Sequence, residues 1–304
     1  MSNFPKRVRI VEVGARDGLQ NQPNSVPTRV KVELIERLTD AGIKHIEAGA
    51  FVSPKWVPLL ADSDQVMRQI KRQPDVIYSV LTPNVHGMHA ALNAGANEVA
   101  VFVAASESFS QKNTNCSIDK ALARALPVIE LANAQNVRVR GYVSCVMGCP
   151  YEGPDIDPVR VATLTEQLVN MGCFEVSLGD TIGAGTPAKA QHLIDVISER
   201  VAVEQLAAHF HNTYGQALAN LFAVLERGIS VIDSSVAGLG GCPYARGATG
   251  NVATEDVLYM LQGLGIETGV SLQQMVDTAA FISQTINVPI NSNTATAMLR
   301  QQAD

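Results

Sequence analysis

The chain alternates between two hydrophobic patterns. Short runs rich in β-branched residues are typical of buried strands, and between them apolar residues recur every three to four positions, as in amphipathic helices. Strands are predicted at 8–14, 45–50, 76–81, 98–104, 137–144, 174–180, 206–212 and 231–236. Helices are predicted near 27–41, 57–72, 84–94, 118–135, 157–171, 187–199, 215–227 and 254–263.

This alternation predicts an α/β fold with a parallel sheet, and at this length a closed (β/α)8 TIM barrel. Because no linker interrupts the pattern, we expect one catalytic domain over residues 1–304. The barrel would span about 8–264, and a helical tail over about 265–304 would pack near the barrel mouth or in a dimer contact. A doubly wound open sheet is the alternative, but GARDGLQ follows the first strand where that fold needs a glycine-rich phosphate-binding turn.

Composition excludes several classes of protein. With 304 residues, 46% hydrophobic, 17% charged and a net charge of −6, the chain can bury a large core and offers no basic stripe for nucleic acid. No apolar run is long enough to span a membrane. The opening MSNFPKRV contains no signal core and no presequence, so we expect a cytoplasmic protein.

The five cysteines are odd in number and scattered, which indicates free thiols rather than a disulfide framework. Cys145 and Cys149 have three residues between them, the wrong spacing for a zinc knuckle or a thioredoxin motif. We interpret this pair as structural.

Two histidines mark the most informative strand, in the segment AAHFHN. His209 and His211 are two residues apart, so their imidazoles lie on the same strand face. Such a pair is half of a divalent-metal site. On this spacing alone, two buried histidines bonded to backbone groups are an equally good interpretation.

Further polar residues fall at strand ends, where TIM-barrel active sites lie. They are Arg16, Asp17, Glu47, Ser177 and Asp180, and the loop from Cys242 to Asn251 follows the eighth strand. Closure makes the eighth strand the neighbour of both the first and the seventh. Asp17, His209, His211 and Asn251 can therefore converge on one ion, and this nitrogen and oxygen set suits six-coordinate Mg²⁺, Mn²⁺ or Co²⁺ better than tetrahedral zinc.

The segment GLGGCPYARGATGN has no strand or helix pattern. A glycine-rich loop at a barrel mouth is a candidate lid, and a cysteine on it, near a cation, is a candidate acid–base group. The alternative is a phosphate-binding loop in which Cys242 is incidental.

Charged residues also occupy the predicted interior faces of the strands. They include Glu98, Arg140 and Glu175, with Tyr142 beside them. Since buried charges are costly unless paired, we expect Glu98 and Glu175 to belong to a buried ion-pair layer.

Six segments together resemble one family closely, the 3-hydroxy-3-methylglutaryl-CoA lyases, within the metal-dependent TIM-barrel lyases and synthases. They are VGARDGLQNQ, EAGAFVSPKWVP, GYVSCVMGCPYEG, SLGDTIGAGTP, HFHNTYGQALAN and VAGLGGCPYARGATGNVATED. The resemblance runs from about residue 8 to the C-terminal helices. The early Arg-Asp and the His-x-His are shared by the whole superfamily, whereas the glycine-cysteine loop ending at Asn251 points to the lyases.

The resemblance implies cleavage of 3-hydroxy-3-methylglutaryl-CoA to acetyl-CoA and acetoacetate, as in leucine degradation, by a homodimer that uses Mg²⁺ or Mn²⁺. The implied metal ligands are Asp17, His209, His211 and Asn251. Arg16 would stabilise the enolate, Cys242 would act as acid–base residue, and Glu47 and Asp180 would support catalysis. Arg16, Gln20, Ser177, Lys112 and Asn113 would bind substrate, the last two from a loop facing the CoA, and Glu255 would help to hold the cysteine loop.

Three positions depart from the family pattern, which often has Pro at Ala15, a hydroxyl residue at Ala50 and Asp at Asn212. They leave open a preference for a longer branched acyl-CoA. A synthase of the same superfamily, an aldolase for a non-CoA substrate and a non-enzymatic interaction module are the remaining alternatives. Synthases usually carry a long C-terminal region that this chain lacks, and an interaction module has no need of a metal set at the rim.

Overall fold

The computed structural model describes residues 4–241 and 250–303, and its eight parallel strands form a closed barrel in sequence order. Strand β1 pairs with β8 in register from Arg9 opposite Val231 to Glu12 opposite Ser234, which closes the sheet. The TIM-barrel prediction is therefore confirmed. Among the described residues, no helix is both long and apolar enough to cross a bilayer.

The elements alternate as the sequence predicted. The strands are β1 (Arg9–Glu12), β2 (His45–Ala50), β3 (Ile77–Leu81), β4 (Glu98–Ala104), β5 (Arg138–Ser144), β6 (Glu175–Asp180), β7 (Leu206–Phe210) and β8 (Val231–Ser234). The helices are α1 (Thr28–Asp40), α2 (Ser63–Gln69), α3 (Val85–Asn93), α4 (Glu107–Thr114), α5 (Ile118–Ala134), α6 (Pro158–Met171), α7 (Pro187–Ser198), α8 (Ala217–Leu225), α9 (Thr254–Gly263), α10 (Leu272–Ile286) and α11 (Asn293–Ala303).

The single helix predicted at 57–72 is wrong. A short 3₁₀ turn at Pro58–Leu60 is followed by the separate helix α2. Asp62, between them, accepts hydrogen bonds from Thr28 and Lys31 of α1 at 2.7 and 2.5 Å. These contacts fix the chain between the two elements. The apolar periodicity of the sequence runs through this break and therefore does not reveal it.

The loop predicted after β4 is also wrong, because Lys112 and Asn113 lie on the exposed face of helix α4. The sequence ESFSQKNT has too few apolar residues to show a helical period. The helix instead begins at a capping serine, since Ser106 accepts a hydrogen bond from the Phe109 amide at 3.1 Å. It ends at Asn115, whose left-handed φ of 52° is typical of a helix C-terminus.

Each strand presents one face to the helices and one to the barrel interior. In β4, Val99, Val101 and Val103 pack in the main core beneath the helices. Glu98 and Phe102 lie on the opposite face, as strand alternation requires. Charged side chains at the interior positions are therefore buried, as the sequence predicted for Glu98 and Glu175.

A separate apolar cluster lines one side of the barrel interior. It consists of Ala50, Val52, Val57, Leu60, Leu81, Ala100, Phe102 and Tyr142. A bulge between Glu47 and Gly49 shifts the register of β2 against β3. A bulge places one extra residue in the strand, so both Glu47 and Ala50 turn towards the interior.

The C-terminal tail packs on the outside of the barrel, where α10 contacts α1 and α9. The Arg37 guanidinium lies 4.2 Å from the ring centroid of Phe281 in this contact. Beyond α10, the Asn291 amide donates to the Ala237 carbonyl at 2.9 Å. The tail thus reaches the turn Val236–Gly238 after β8, at the barrel mouth.

Candidate active site

The segment GARDG after β1 forms one turn of π-helix that presents two functional side chains. The amides of Arg16, Asp17 and Gly18 all donate to the Val13 carbonyl, at 2.7–3.1 Å. A Cβ at Gly18 would lie 2.9 Å from Leu239 Cβ and from Ser235 Oγ, so only glycine allows the turn to approach the segment after β8. This close approach brings Asp17 to the eighth strand.

Asp17, His209 and His211 converge at the barrel mouth, with ligand atoms within 4.8 Å of one another. Asp17 Oδ2 is 3.9 Å from His209 Nε2 and 4.0 Å from His211 Nε2. All three residues are buried, with relative exposures of 5–8%. The structure thus brings together three of the four metal ligands predicted from the sequence.

Asn251, the fourth predicted ligand, lies against the same carboxylate. Its amide nitrogen donates to Asp17 Oδ2 at 2.8 Å and to the Leu239 carbonyl at 3.1 Å. It is paired with His211 in an isolated antiparallel bridge. Because the amide nitrogen is used in these bonds, the amide oxygen is the atom left for metal binding.

Asp233 on β8 orients His209, and sequence reasoning missed it. His209 Nδ1 is 3.1 Å from Asp233 Oδ2. A carboxylate can only accept here, so Nδ1 carries a proton, and in the neutral imidazole Nε2 is the nitrogen left for a cation. Burial disfavours the charged imidazole, but the hydrogen bond and the negative charge of Asp233 raise the pKa of His209 above its ordinary value.

His211 has no carboxylate partner on Nδ1, which is buried without a hydrogen-bond partner among the described residues. Burial, together with the neighbouring His209, lowers the pKa of His211 to about 4. The ring is therefore neutral at pH 7, which is the state that binds a metal.

Asp233 is itself held by a buried network. Arg140 donates to its two oxygens at 2.9 and 2.7 Å, and Ser177 donates at 2.8 Å. Arg140 also donates to Glu175 at 2.8 Å, and Glu175 in turn pairs with Arg9. These opposite charges outweigh burial and hold the pKa of the Asp233 carboxyl well below its usual range.

A second buried pair joins Arg16 to Glu47. The Arg16 guanidinium donates to Glu47 Oε2 at 2.6 Å and to Asp17 Oδ1 at 2.8 Å. Gln20 donates to the same Asp17 oxygen at 2.8 Å. Burial is the largest influence on Glu47 and raises its pKa even though Arg16 opposes the rise. The Arg16 side chain is thus fixed beside the triad by two carboxylates.

The other predicted site residues lie in three different settings. Asp180 is fully buried and accepts hydrogen bonds from the amides of Ala184 and Gly185, at 3.1 and 2.8 Å, and burial raises its pKa to about 6. It therefore organises the turn after β6. Lys112 and Asn113 are exposed on α4, and among the described residues no hydrogen bond or ion pair joins them to the triad. Cys242 lies outside the described residues.

Two buried acids anchor the two ends of the segment that contains Cys242. Glu12 accepts from the Val236 amide at 2.9 Å and from the Thr254 hydroxyl at 2.5 Å. Glu255 accepts from the Ala237 amide at 2.9 Å. Burial raises the pKa of Glu12 to about 7 and that of Glu255 to about 8. The hydrogen bond between Ala237 and Glu255 agrees with the role expected for Glu255, which is to help hold this loop.

The donor set fits a divalent cation. Ligands about 2.1 Å from one ion lie roughly 3.0–3.4 Å apart, so the separations of 3.9 and 4.0 Å need only a small contraction. One carboxylate, two imidazoles and an amide oxygen leave positions for substrate oxygens, as a catalytic ion requires.

The model of the family described as HMGL-like matches residues 7–282. This chain belongs to the HMGL-like family. The assignment made from the sequence motifs is therefore confirmed, and the relatives described next, which are named as lyases, confirm the class of carbon–carbon lyases.

Two relatives in the HMGL-like family are similar over nearly the whole chain. The mitochondrial hydroxymethylglutaryl-CoA lyase of Bos taurus is 57% identical over 98% of this chain and 91% of its own length. The 3-hydroxy-3-isohexenylglutaryl-CoA/hydroxy-methylglutaryl-CoA lyase of Pseudomonas aeruginosa is 55% identical over 98% of this chain and 99% of its own.

A solved structure in the HMGL-like family shares the whole architecture. It is an HMG-CoA lyase from Acinetobacter baumannii in complex with coenzyme A and 3-methylmalate. It is 35% identical and covers 98% of this chain and 97% of its own, with a TM-score of 0.93. This similar structure is therefore of a lyase with coenzyme A bound.

Proposed function

We propose that this chain is a divalent-metal-dependent lyase that cleaves 3-hydroxy-3-methylglutaryl-CoA to acetyl-CoA and acetoacetate. The observation that carries the proposal is the Asp17–His209–His211 triad beside a buried arginine, in a family whose relatives are named for this substrate. The nitrogen and oxygen donors favour Mg²⁺ or Mn²⁺, held by the triad and Asn251. When bound, such a cation lowers the pKa of an alcohol that coordinates it.

The reaction needs a stabiliser for the electrons released at C2. When a base, which can be a solvent molecule, takes the proton of the C3 hydroxyl, the C2–C3 bond breaks, C3 becomes the ketone of acetoacetate, and the bonding pair becomes a thioester enolate. Arg16 is suited to hold the enolate oxygen, because its charge is permanent and Glu47 fixes its orientation. Gln20 supports the same end of the site through Asp17.

The enolate must then take a proton at C2 to become acetyl-CoA. We assign this proton to the Cys242 thiol, on the sequence grounds of its glycine-rich loop at the mouth. The thiolate regains a proton from water after each turnover. Ser177 and Asp180 remain proposed substrate and support residues, although the Ser177 hydroxyl already donates to Asp233 and Asp180 is bound to the turn after β6.

Product analysis tests the function. Purified protein is incubated with 3-hydroxy-3-methylglutaryl-CoA, with Mg²⁺ or Mn²⁺ and after removal of metal with EDTA. We expect acetyl-CoA and acetoacetate in equal amounts, and loss of both with EDTA. Equal rates with and without EDTA, or release of free CoA instead of acetyl-CoA, would refute a metal-dependent lyase.

The second candidate is a lyase for a longer branched 3-hydroxyglutaryl-CoA. It is favoured by the Pseudomonas aeruginosa relative, whose name includes an isohexenyl substrate. The two candidates share one mechanism and differ only in the substituent on C3. Competition between the two thioesters for the same enzyme measures which is preferred.

The remaining proposals concern the binding of CoA, the oligomeric state and the cellular location. We propose that Lys112 and Asn113, exposed on α4, contact the CoA, and that the enzyme is a cytoplasmic homodimer. Lys112→Ala would then raise KM for the thioester with little change in kcat. Sedimentation velocity measures whether the protein in solution is a dimer.

A further inference from the structure

A cavity of about 180 Å³ lies between helix α7 and the connecting segment that joins β5 to α6. We call it the α7 cavity. Its apolar wall consists of Val146, Met147, Pro154, Ile156, Pro158 and Leu193. An apolar cavity of roughly 150 Å³ is large enough to hold benzene, so this one has room for a hydrocarbon group of about six carbons.

The wall of the α7 cavity is held in place by backbone hydrogen bonds. The Val146 amide donates to the Gly179 carbonyl of β6 at 3.0 Å. Further along the segment, Cys149 and Gly153 exchange two amide-to-carbonyl bonds, at 2.9 and 3.0 Å. The cavity is therefore part of the folded structure, as small-molecule sites usually are, and an occupant would not have to pay for its formation.

Two basic side chains stand at the rim of the α7 cavity. Lys189 and His192 are three residues apart on α7, so they lie on the same face of the helix. Lys189 Nζ donates to the Pro154 carbonyl at 3.2 Å and is 3.5 Å from Asp155 Oδ1. The Asp155 side chain is 91% exposed, and an ion pair so open to water contributes little. Another carboxylate can therefore take the place of Asp155 beside Lys189.

We propose that the α7 cavity binds a small monocarboxylic acid whose apolar tail has about five to seven carbons. The tail occupies the apolar wall, and the carboxylate accepts a hydrogen bond from Lys189 at the rim, with His192 beside it. An acid is favoured over an alcohol or an amine because both side chains that α7 presents at the rim are basic.

The α7 cavity is separate from the proposed active site. Among the described residues, none of the metal triad belongs to its lining. Met147 forms the inner part of the wall, and a Cβ at Gly185 would lie 2.8 Å from both Met147 Sδ and Asp180 Oδ2. Met147 thus packs on the turn that Asp180 organises, and its methyl group reports on an occupant of the cavity.

The test titrates the full-length protein, with Mg²⁺ present, with propanoate, butanoate, pentanoate and hexanoate, and separately with hexan-1-ol. Methyl ¹³C NMR of the methionines gives both the affinity and the place of binding. We expect the Met147 signal to shift, and the affinity to rise about fourfold for each added methylene. Hexanoate should bind more tightly than hexan-1-ol.

Three variants separate the contributions to binding. Lys189→Met keeps the length of the side chain but removes its charge, so it should weaken hexanoate about fivefold or more and leave hexan-1-ol unchanged. Ile156→Trp should fill the cavity and remove binding of both. The matched control is Lys120→Met, an exposed lysine on α5, which should bind hexanoate as the wild type does.

Three results would overturn the proposal. An unchanged Met147 signal at saturating hexanoate would show that the cavity is not the site. Equal affinity for hexanoate and hexan-1-ol, with no effect of Lys189→Met, would show a site for neutral apolar molecules instead. Equal weakening by Lys189→Met and Lys120→Met would show a general effect of charge. Should Ile156→Trp fail to fold, Lys189→Met decides, since its site is exposed on α7. Binding is measured without turnover, so the result does not depend on the proposed function.

Discussion

Replacement of Asp233 by asparagine removes one negative charge from the centre of the barrel without changing the size of the side chain. Four hydrogen bonds reach this carboxylate in the native protein, two from Arg140 and one each from Ser177 and His209. An amide can donate as well as accept, so Asp233→Asn no longer obliges His209 to carry its proton on Nδ1. We expect both the stability and the metal affinity to fall.

The two effects differ in size. Leaving Arg140 without one of its two acidic partners should cost about 3 kcal/mol of folding free energy, the lower end of the range for a broken buried pair, because Glu175 still binds it. Loss of the group that orients a ligating histidine typically weakens metal binding 10–100-fold, or about 1.4–2.8 kcal/mol.

Isothermal titration of metal-free protein with Mn²⁺, well below the melting temperature, measures the affinity on folded molecules, and urea denaturation of metal-free protein measures the stability. Glu98→Gln is the matched control, because Glu98 is a buried acid beside His45 at 2.5 Å, and both begin their strands whereas the triad lies at the opposite, C-terminal ends. We expect Glu98→Gln to lose stability but to bind Mn²⁺ as the wild type does.

Either of two results would refute the role assigned to Asp233. If Asp233→Asn binds Mn²⁺ within twofold of the wild type while its stability falls, Asp233 only balances the charge of Arg140 and does not orient His209. If both Asp233→Asn and Glu98→Gln lose Mn²⁺ affinity equally, the loss reflects general loosening of the barrel.

Four further predictions follow from the site. His211→Ala should lose bound metal and nearly all turnover while circular dichroism is unchanged; wild-type metal content by elemental analysis would contradict this. Arg16→Lys should lower kcat ~10²–10³-fold with little change in KM, and an effect on KM alone would argue for a binding role. Cys242 should be alkylated before the other four thiols, which are all buried, and substrate should protect it; peptide mapping decides. The pKa of Glu255 is raised to about 8 in the folded protein, so its contribution to stability is greatest below pH 4.5 and is lost as the pH rises through 8. Glutamine does not titrate. The stability of Glu255→Gln in urea denaturation should therefore rise relative to that of the wild type between pH 5 and 8.5.

The strands could be predicted closely because parallel strands are buried on both faces and appear as short apolar runs. β4 agrees with its predicted bounds, and β7 ends one residue before His211 rather than at Asn212. Helix α4 could not be found in this way, since its stability comes from a serine cap and one buried phenylalanine rather than from an apolar stripe. The apolar periodicity of the sequence also does not show the break at Asp62, because that break depends on contacts with α1.

The triad could be predicted because two of its residues share one strand and the third follows a neighbouring strand. Asp233 could not, since an isolated acid in VIDSSV has no motif and its contacts lie 24 and 93 residues away along the chain. Its position on an interior strand face next to that of His209 was the available signal. The apolar cluster was equally hidden, because its members are distributed over four strands and one connecting segment.

The chain of charges that runs from the partly exposed Arg9 through the buried Glu175, Arg140 and Asp233 to His209 comes from β1, β5, β6, β7 and β8. No half of the barrel contains a complete set. Strands β5 to β8 nevertheless contain four of the five, so Arg140 can pair with Glu175 and Asp233 within that half, and only the pair of Arg9 with Glu175 needs β1. The metal triad depends on closure more strongly, because Asp17 follows β1 while His209 and His211 belong to the end of β7. A half barrel of β5 to β8 would keep most of these ion pairs and lose the proposed metal site.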